Sequence, residues 1–274
     1  MIAVLFFSCS ENETNNNAEK IPDTVYYEVP AMAERQDVVY HEFKKLDNAI
    51  LEKLFACDTV YNNGFVGWYP SADDVYSSAA GTSLCSTNLE EVHYFKKSQT
   101  DYAFCLLVTY DEFAKGEYHA SAPYVGGALF RKTDKGMWNL QHMKKLVITH
   151  GEMGYLKPYS FVSGGPMLPL LQLSFSYSAT GEVTEEEHFF ELFEMKEVFS
   201  MNTGGSYKGE SEMDHEWSSE ITFRNDPKNK FYDLLVVKTK GTRYDFETEK
   251  VVAVDTMRVF RYNDFRWVYE PVCE

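Results

Sequence analysis

The chain has 274 residues, 44% apolar and 16% aromatic, and a net charge of −16. That length supports a substantial core in one or two domains. The acidic balance argues against nucleic-acid binding, whose affinity comes largely from Lys and Arg on phosphates. It also argues against an anionic membrane surface.

The chain opens with MIAVLFFSC, in which Ile2 to Phe7 are all apolar. The run is too short to span a bilayer, which takes roughly 20 residues. It fits the end of a secretory apolar region, closed by the small Ser8 before Cys9. The following stretch, SENETNNNAEK, is polar and of low complexity, as in a flexible tether.

Apolar run, small residue, Cys and polar tether together resemble a bacterial lipoprotein signal. That resemblance implies lipidation of Cys9, cleavage before it, and anchoring in the envelope of a Gram-negative bacterium, at the outer membrane or in the periplasm. The expected division is residues 1–8 signal peptide, 9–24 tether, 25–57 N-terminal segment and helix, and 58–274 repeated β domain. Four cysteines remain, Cys57, Cys85, Cys105 and Cys273. An oxidising envelope permits two disulfides in any of three connectivities; the alternative is four thiols buried as small hydrophobes.

A short extended piece, TVYYEVP, ends at Pro30. Val39, Phe43, Leu46, Ile50, Leu54 and Cys57 then step by three or four. That spacing predicts an amphipathic helix over 37–57, capped by Asp37, with its apolar stripe on a sheet. From Asp58 onward, Tyr, Phe, Val and Thr are dense, and turn residues recur every 8–12 positions. YAFCLLVTYDEF, LPLLQLSFSYSATGEV and FYDLLVVKTKG read as strands, and Asn263-Asp264 as the turn of a hairpin.

The strand segments recur. Leu106-Leu107, Leu170-Leu171 and Leu234-Leu235 are each 64 residues apart. A turn followed by an aromatic residue recurs at Trp68, Trp138, Tyr207 and Trp267, with gaps of 70, 69 and 60. Units of this length with several strands predict a propeller-like mainly-β fold, whose radial closure leaves only short edges. A β-sandwich or another α+β fold is the alternative.

TFRNDPKNKFYDLLVVKT resembles a degenerate FG-GAP or VCBS propeller repeat, with Asn225, Asn229 and Asp233 at the loop positions and Leu234, Leu235 and Val236 in the strand. The resemblance implies a propeller used for extracellular recognition. Pro227 and Lys228 stand where that family supplies acid or Gly. Calcium takes about six to eight oxygens, which these loops do not offer, so no metal or cofactor is expected.

The remaining candidates are modest. His142 and His150 are eight apart, about 26 Å along a strand. Glu185 and Glu187 share a strand face in GEVTEEEHFF, as a pair of acids or as a solvated hairpin tip. The Gly-Gly pairs in APYVGGAL and SFVSGGPM read as turns. Trp68 and Tyr69 sit in the Gly-rich, Pro-ended loop NNGFVGWYP. Flat rings on loops make binding platforms, although Trp68 also belongs to the turn-aromatic series and is then a packing residue.

The expected function is a non-catalytic, lipid-anchored envelope module that binds a protein or glycan. A carboxylate-dependent hydrolase on a β-scaffold is the alternative, requiring two carboxyl groups about 5–9.5 Å apart. When the chain is expressed behind a complete signal sequence in a Gram-negative host, intact mass is expected to show lipid on a chain beginning at Cys9, in the membrane fraction. A cytosolic product retaining Met1 refutes the lipoprotein assignment.

Overall fold

The computed structural model describes residues 42–57, 59–61, 63–71, 84–111, 122–151, 155–179, 181–209 and 213–272. The signal, the tether, Asp37, Val39, Cys9 and Cys273 lie outside them. Two antiparallel sheets make up the described chain, as the mainly-β expectation requires. The first comprises β1 (Glu42–Phe43), β2 (Thr59–Val60), β3 (Val66–Trp68), β4 (Cys85–Lys97), β5 (Thr100–Asp111), β6 (Tyr124–Lys132) and β7 (Trp138–Thr149). Its order is β1-β7-β6-β5-β4-β3-β2.

The second sheet runs in unbroken chain order. It comprises β8 (Tyr159–Ser163), β9 (Pro169–Ala179), β10 (Glu182–Glu191), β11 (Lys196–Tyr207), β12 (His215–Asp226), β13 (Asn229–Asp245), β14 (Lys250–Asn263) and β15 (Val268–Pro271). Short hairpins join most neighbours, so the chain meanders, and β14 turns into β15 after Asn263 as expected.

The strands join into two continuous sheets and are not separated into propeller blades. The recurrences have a simple topological meaning. The Leu-Leu pairs fall on β5, β9 and β13, and the turn-aromatic residues fall in β3, at the start of β7, in β11 and just before β15. Both series therefore return every fourth strand of a meander. A blade would need its four strands to break from the next four, but β11 pairs directly with β12 and β9 with β10.

Helix α1 spans Ala49–Phe55. The longer expected helix is not what the described part shows, because Glu42–Phe43 pairs with β7 as an edge strand. Asp47 Oδ1 accepts the Ala49 N–H at 3.2 Å, and Ala56 ends the helix in the left-handed region at φ 46°. The helical stripe nevertheless buries as its spacing predicts. Phe43, Leu46, Ile50 and Leu54 enter one cluster with Ala103, Cys105, Leu107, Ala128 and Phe130 of the first sheet.

Strand β5 is buried on both faces. Alternation sends Ala103, Cys105 and Leu107 toward the helix, and Phe104 and Leu106 toward the second sheet. There they meet Leu171, Leu173, Phe190, Leu192 and Met195. Gly126-Gly127 lies within β6, not in a turn. The reason is space: a Cβ on Gly127 would come 2.1 Å from the Phe104 ring, and one on Gly126 2.1 Å from the Lys145 carbonyl. Gly164-Gly165 does occupy a turn, with Gly165 at φ 120°. Burial pushes the Cys105 thiol up to about 12, and the thiol is free, so Cys105 takes no part in either permitted disulfide.

Polar contacts fix the join between the sheets. His93 stacks on Phe161 at 4.1 Å, and the Tyr159 hydroxyl donates to Glu91 at 3.0 Å. Lys97 Nζ lies 3.8 Å from the Phe193 ring centre. Glu191 is 1% exposed, and its burial raises the carboxyl's pKa. It accepts the Phe193 and Glu194 N–H groups and so shapes the β10–β11 turn.

The second sheet curls. Tyr269 of β15 packs near Phe199 of β11 and Phe223 of β12, and its hydroxyl donates to the Gly164 carbonyl at 3.4 Å. The β8–β9 turn reaches β13, where Asp233 N–H donates to the Gly164 carbonyl. Leu168, Leu170, Phe189, Leu235 and Val237 fill the concave face at this end. No described helix is long and apolar enough to cross a membrane. Phe104→Ala is expected to destabilise the fold by about 3–5 kcal/mol, since it empties the layer between the sheets. Urea denaturation monitored by far-UV circular dichroism checks this; a loss under roughly 1 kcal/mol contradicts a shared core.

Candidate functional site

Beyond that apolar plug the concave face of the second sheet opens into a groove. The register places its floor in rows across β12, β13 and β14. Arg243 stands opposite Val252. Next come Trp217, Gly241 and Val254, then Ser219, Thr239 and Thr256, then Ile221, Val237 and Arg258. The last row, Phe223, Leu235 and Phe260, belongs to the plug, as do Ile221 and Val237 beside Arg258. Period-2 alternation brings all of them to one face.

Glycines make room for Trp217, Gly205 for its indole and Gly241 for its backbone. A Cβ on Gly205 would sit 2.8 Å from Trp217 Nε1, and one on Gly241 2.6 Å from its Cα. Gly241 also adopts φ 129°, which favours glycine. The pair Gly204-Gly205 is thus strand in β11, not a turn before Tyr207. The Arg243 guanidinium lies 5.5 Å from the Trp217 ring centre, and that of Arg258 5.9 Å from Phe260. Both are cation–π distances. The buried Thr239 hydroxyl shares a hydrogen bond with Ser219 at 2.7 Å, while Thr256 is exposed. Met201 and Asn202 of β11 complete one wall. The cavity is about 670 Å³, within the roughly 300–1,000 Å³ of small-ligand sites.

The sequence-derived candidates lie elsewhere. Trp68 is 5% exposed in the first sheet, where its indole N–H donates to Thr87 Oγ1 at 2.7 Å and Phe55 packs 4.9 Å away. Burial of this kind fits the packing alternative. Tyr69 is 70% exposed just after β3. The structure brings neither to the groove. Asn225, Asn229 and Asp233 belong to the β12–β13 hairpin. Asn229 Oδ1 accepts the Phe231 N–H, and neighbouring Asp226 is bound by Arg261 at 2.6 Å. Burial alone would raise the Asp226 pKa, but Arg261 and the Lys228 N–H outweigh it and hold the carboxyl below its usual range. Among the described residues no group of three or more His, Cys, Asp or Glu is placed to hold a metal ion.

His142 lies on β7 with Glu194 3.8 Å away, and His150 is fully buried, its Nε2 3.1 Å from the Pro158 carbonyl. The acids of GEVTEEEHFF form strand, not a hairpin tip. Glu187 accepts from Gln172 and Ser174. His188 holds Glu197 at 2.6 Å and Glu186 at 3.5 Å, with Phe175 packed on its ring. The bond to Glu197 raises the His188 pKa, and the same bond lowers that of Glu197.

No family model matches the chain, and no curated protein or solved structure does so either.

The groove was poorly visible in sequence. Its one local sign is glycine beside bulk, GGSY and KGTR flanking the strand that carries Trp217. The ion pair has a pH signature. His188, with its pKa raised, stabilises the fold below the unfolded value near 6.5 and loses that contribution as pH rises through the folded value. Glu197, with its pKa lowered, contributes above roughly pH 4.5 and loses its share on acidification. Over a range from about pH 5 into alkaline solution, the melting-temperature gap between wild type and His188→Gln is therefore expected to be largest below about pH 6.5 and to shrink as the pH rises beyond it. A gap that does not change across that range counts against the pair.

Proposed function

We propose that the protein is a non-catalytic binding module of the cell envelope, lipid-anchored at Cys9, whose groove on the second sheet receives an extracytoplasmic glycan or protein. The observation that carries this reading is the row order Arg243, Trp217, Thr239–Thr256, Arg258 along one open floor. An indole offers a flat contact surface at low entropy cost, and guanidiniums and hydroxyls add directional hydrogen bonds. These are groups that hold and orient a ligand. The tether of residues 9–24 would place the module away from the membrane surface. An acidic body with net charge −16 suits a protein kept off anionic headgroups.

Binding of the full chain to a panel of envelope glycans tests this. Saturable binding is expected for at least one member, with Trp217→Ala weakening it about tenfold or more. Tyr69→Ala, on the other sheet, is expected to leave it unchanged. Binding lost with Tyr69→Ala and not with Trp217→Ala moves the site to the loop. Turnover of a bound glycan overturns the non-catalytic reading.

A further inference from the structure

We infer that the groove recognises an oligosaccharide that carries carboxylates at intervals along its chain; this rests on the groove being the binding face. Charge is the first argument. The chain bears 42 acidic against 26 basic residues, yet the charged side chains on this groove are arginines, Arg243 and Arg258. Neither forms an ion pair with a carboxylate among the described residues. Both guanidiniums lie near aromatic rings, which braces the planar fork that binds carboxylates in two-point fashion.

Spacing is the second argument. Arg243 pairs with Val252, and Arg258 is six residues further along β14. Six strand residues span about 20 Å. A single small acid does not reach both positions. A linear ligand with repeated anions does, and it would cross Trp217 and the Thr239–Thr256 row on the way.

The floor itself favours sugar over peptide. Extended peptides gain much of their affinity by pairing with an exposed sheet edge. Here the middle strand of the floor, β13, is paired on both sides, and the backbone edges without a paired strand among the described residues, β14 before Phe260 and β12 beyond Ser218, lie at its flanks. Along the middle of the floor Thr239, its neighbour Thr256 and the Trp217 indole present side-chain hydroxyls and an aromatic face. Those are the partners of hydroxyl-rich pyranose rings.

Isothermal titration of the full chain with tetragalacturonate, its methyl ester and tetraglutamate tests the inference. Tetragalacturonate is expected to bind, and to bind at least about tenfold more tightly than the ester, with affinity falling as salt is raised. Arg243→Gln and Arg258→Gln are each expected to weaken it about tenfold. Lys238→Gln, on the opposite face of β13, is expected to leave it unchanged. Equal binding of acid and ester overturns the requirement for charge but not the use of the groove. Tighter binding of tetraglutamate assigns the groove to acidic peptides and overturns the saccharide. Failure of all three overturns this inference alone, because the glycan panel decides the binding module independently.

Discussion

The fold depends on burying β5 from both sides. Its alternate residues serve two cores at once, the helix side through Ala103, Cys105 and Leu107 and the second sheet through Phe104 and Leu106. An antiparallel strand commonly leaves one face to water. Here neither face is free, so the first sheet becomes the central layer of the molecule. The Phe104 ring takes the space left by Gly127, and Met195 of the β10–β11 turn comes close to the same spot. Gly127 is thus one of the places where the two sheets' packing needs a missing side chain.

The second sheet has a different division of labour along its strands. Its convex face supplies Leu171, Leu173 and Phe190 to the shared core. Its concave face is closed at one end by Tyr269, Phe189 and Leu235 and is open at the other. Curling brings the β8–β9 turn onto β13, where Gly164 binds both Asp233 and Tyr269. That closure seals the apolar end and leaves the remaining length of β12 to β14 as an accessible floor. The polar end of each strand thereby carries exposed side chains, such as Arg243 and Thr256, without unburying the core.

The glycine pairs illustrate how local chemistry was reassigned. The sequence pattern makes a turn of each. Gly164-Gly165 is one, but Gly126-Gly127 and Gly204-Gly205 are strand. In both strands a ring or a carboxylate lies against the missing side chain: Phe104 at Gly127, Trp217 at Gly205 and Glu185 at Gly204. A glycine in sequence cannot distinguish a need for unusual backbone angles from a need for space across a sheet. The two differ only once the neighbouring strand is in place.

By itself the sequence determined the β character, the strand-turn-strand at Asn263, the buried stripe around Ile50 and Leu54, and the recurrence every fourth strand, because each is written in local periodicity. It also carries the resemblance on which the proposed lipid anchor at Cys9 rests. Only tertiary structure decided that the recurring units join edge to edge into two sheets, since pairing of β11 with β12 depends on contacts between distant segments. Register likewise decided the groove: Arg243, Trp217 and Arg258 are scattered in the chain and become one row order through cross-strand pairing. Burial in the first sheet likewise places Trp68, which the loop sequence presents as a candidate platform.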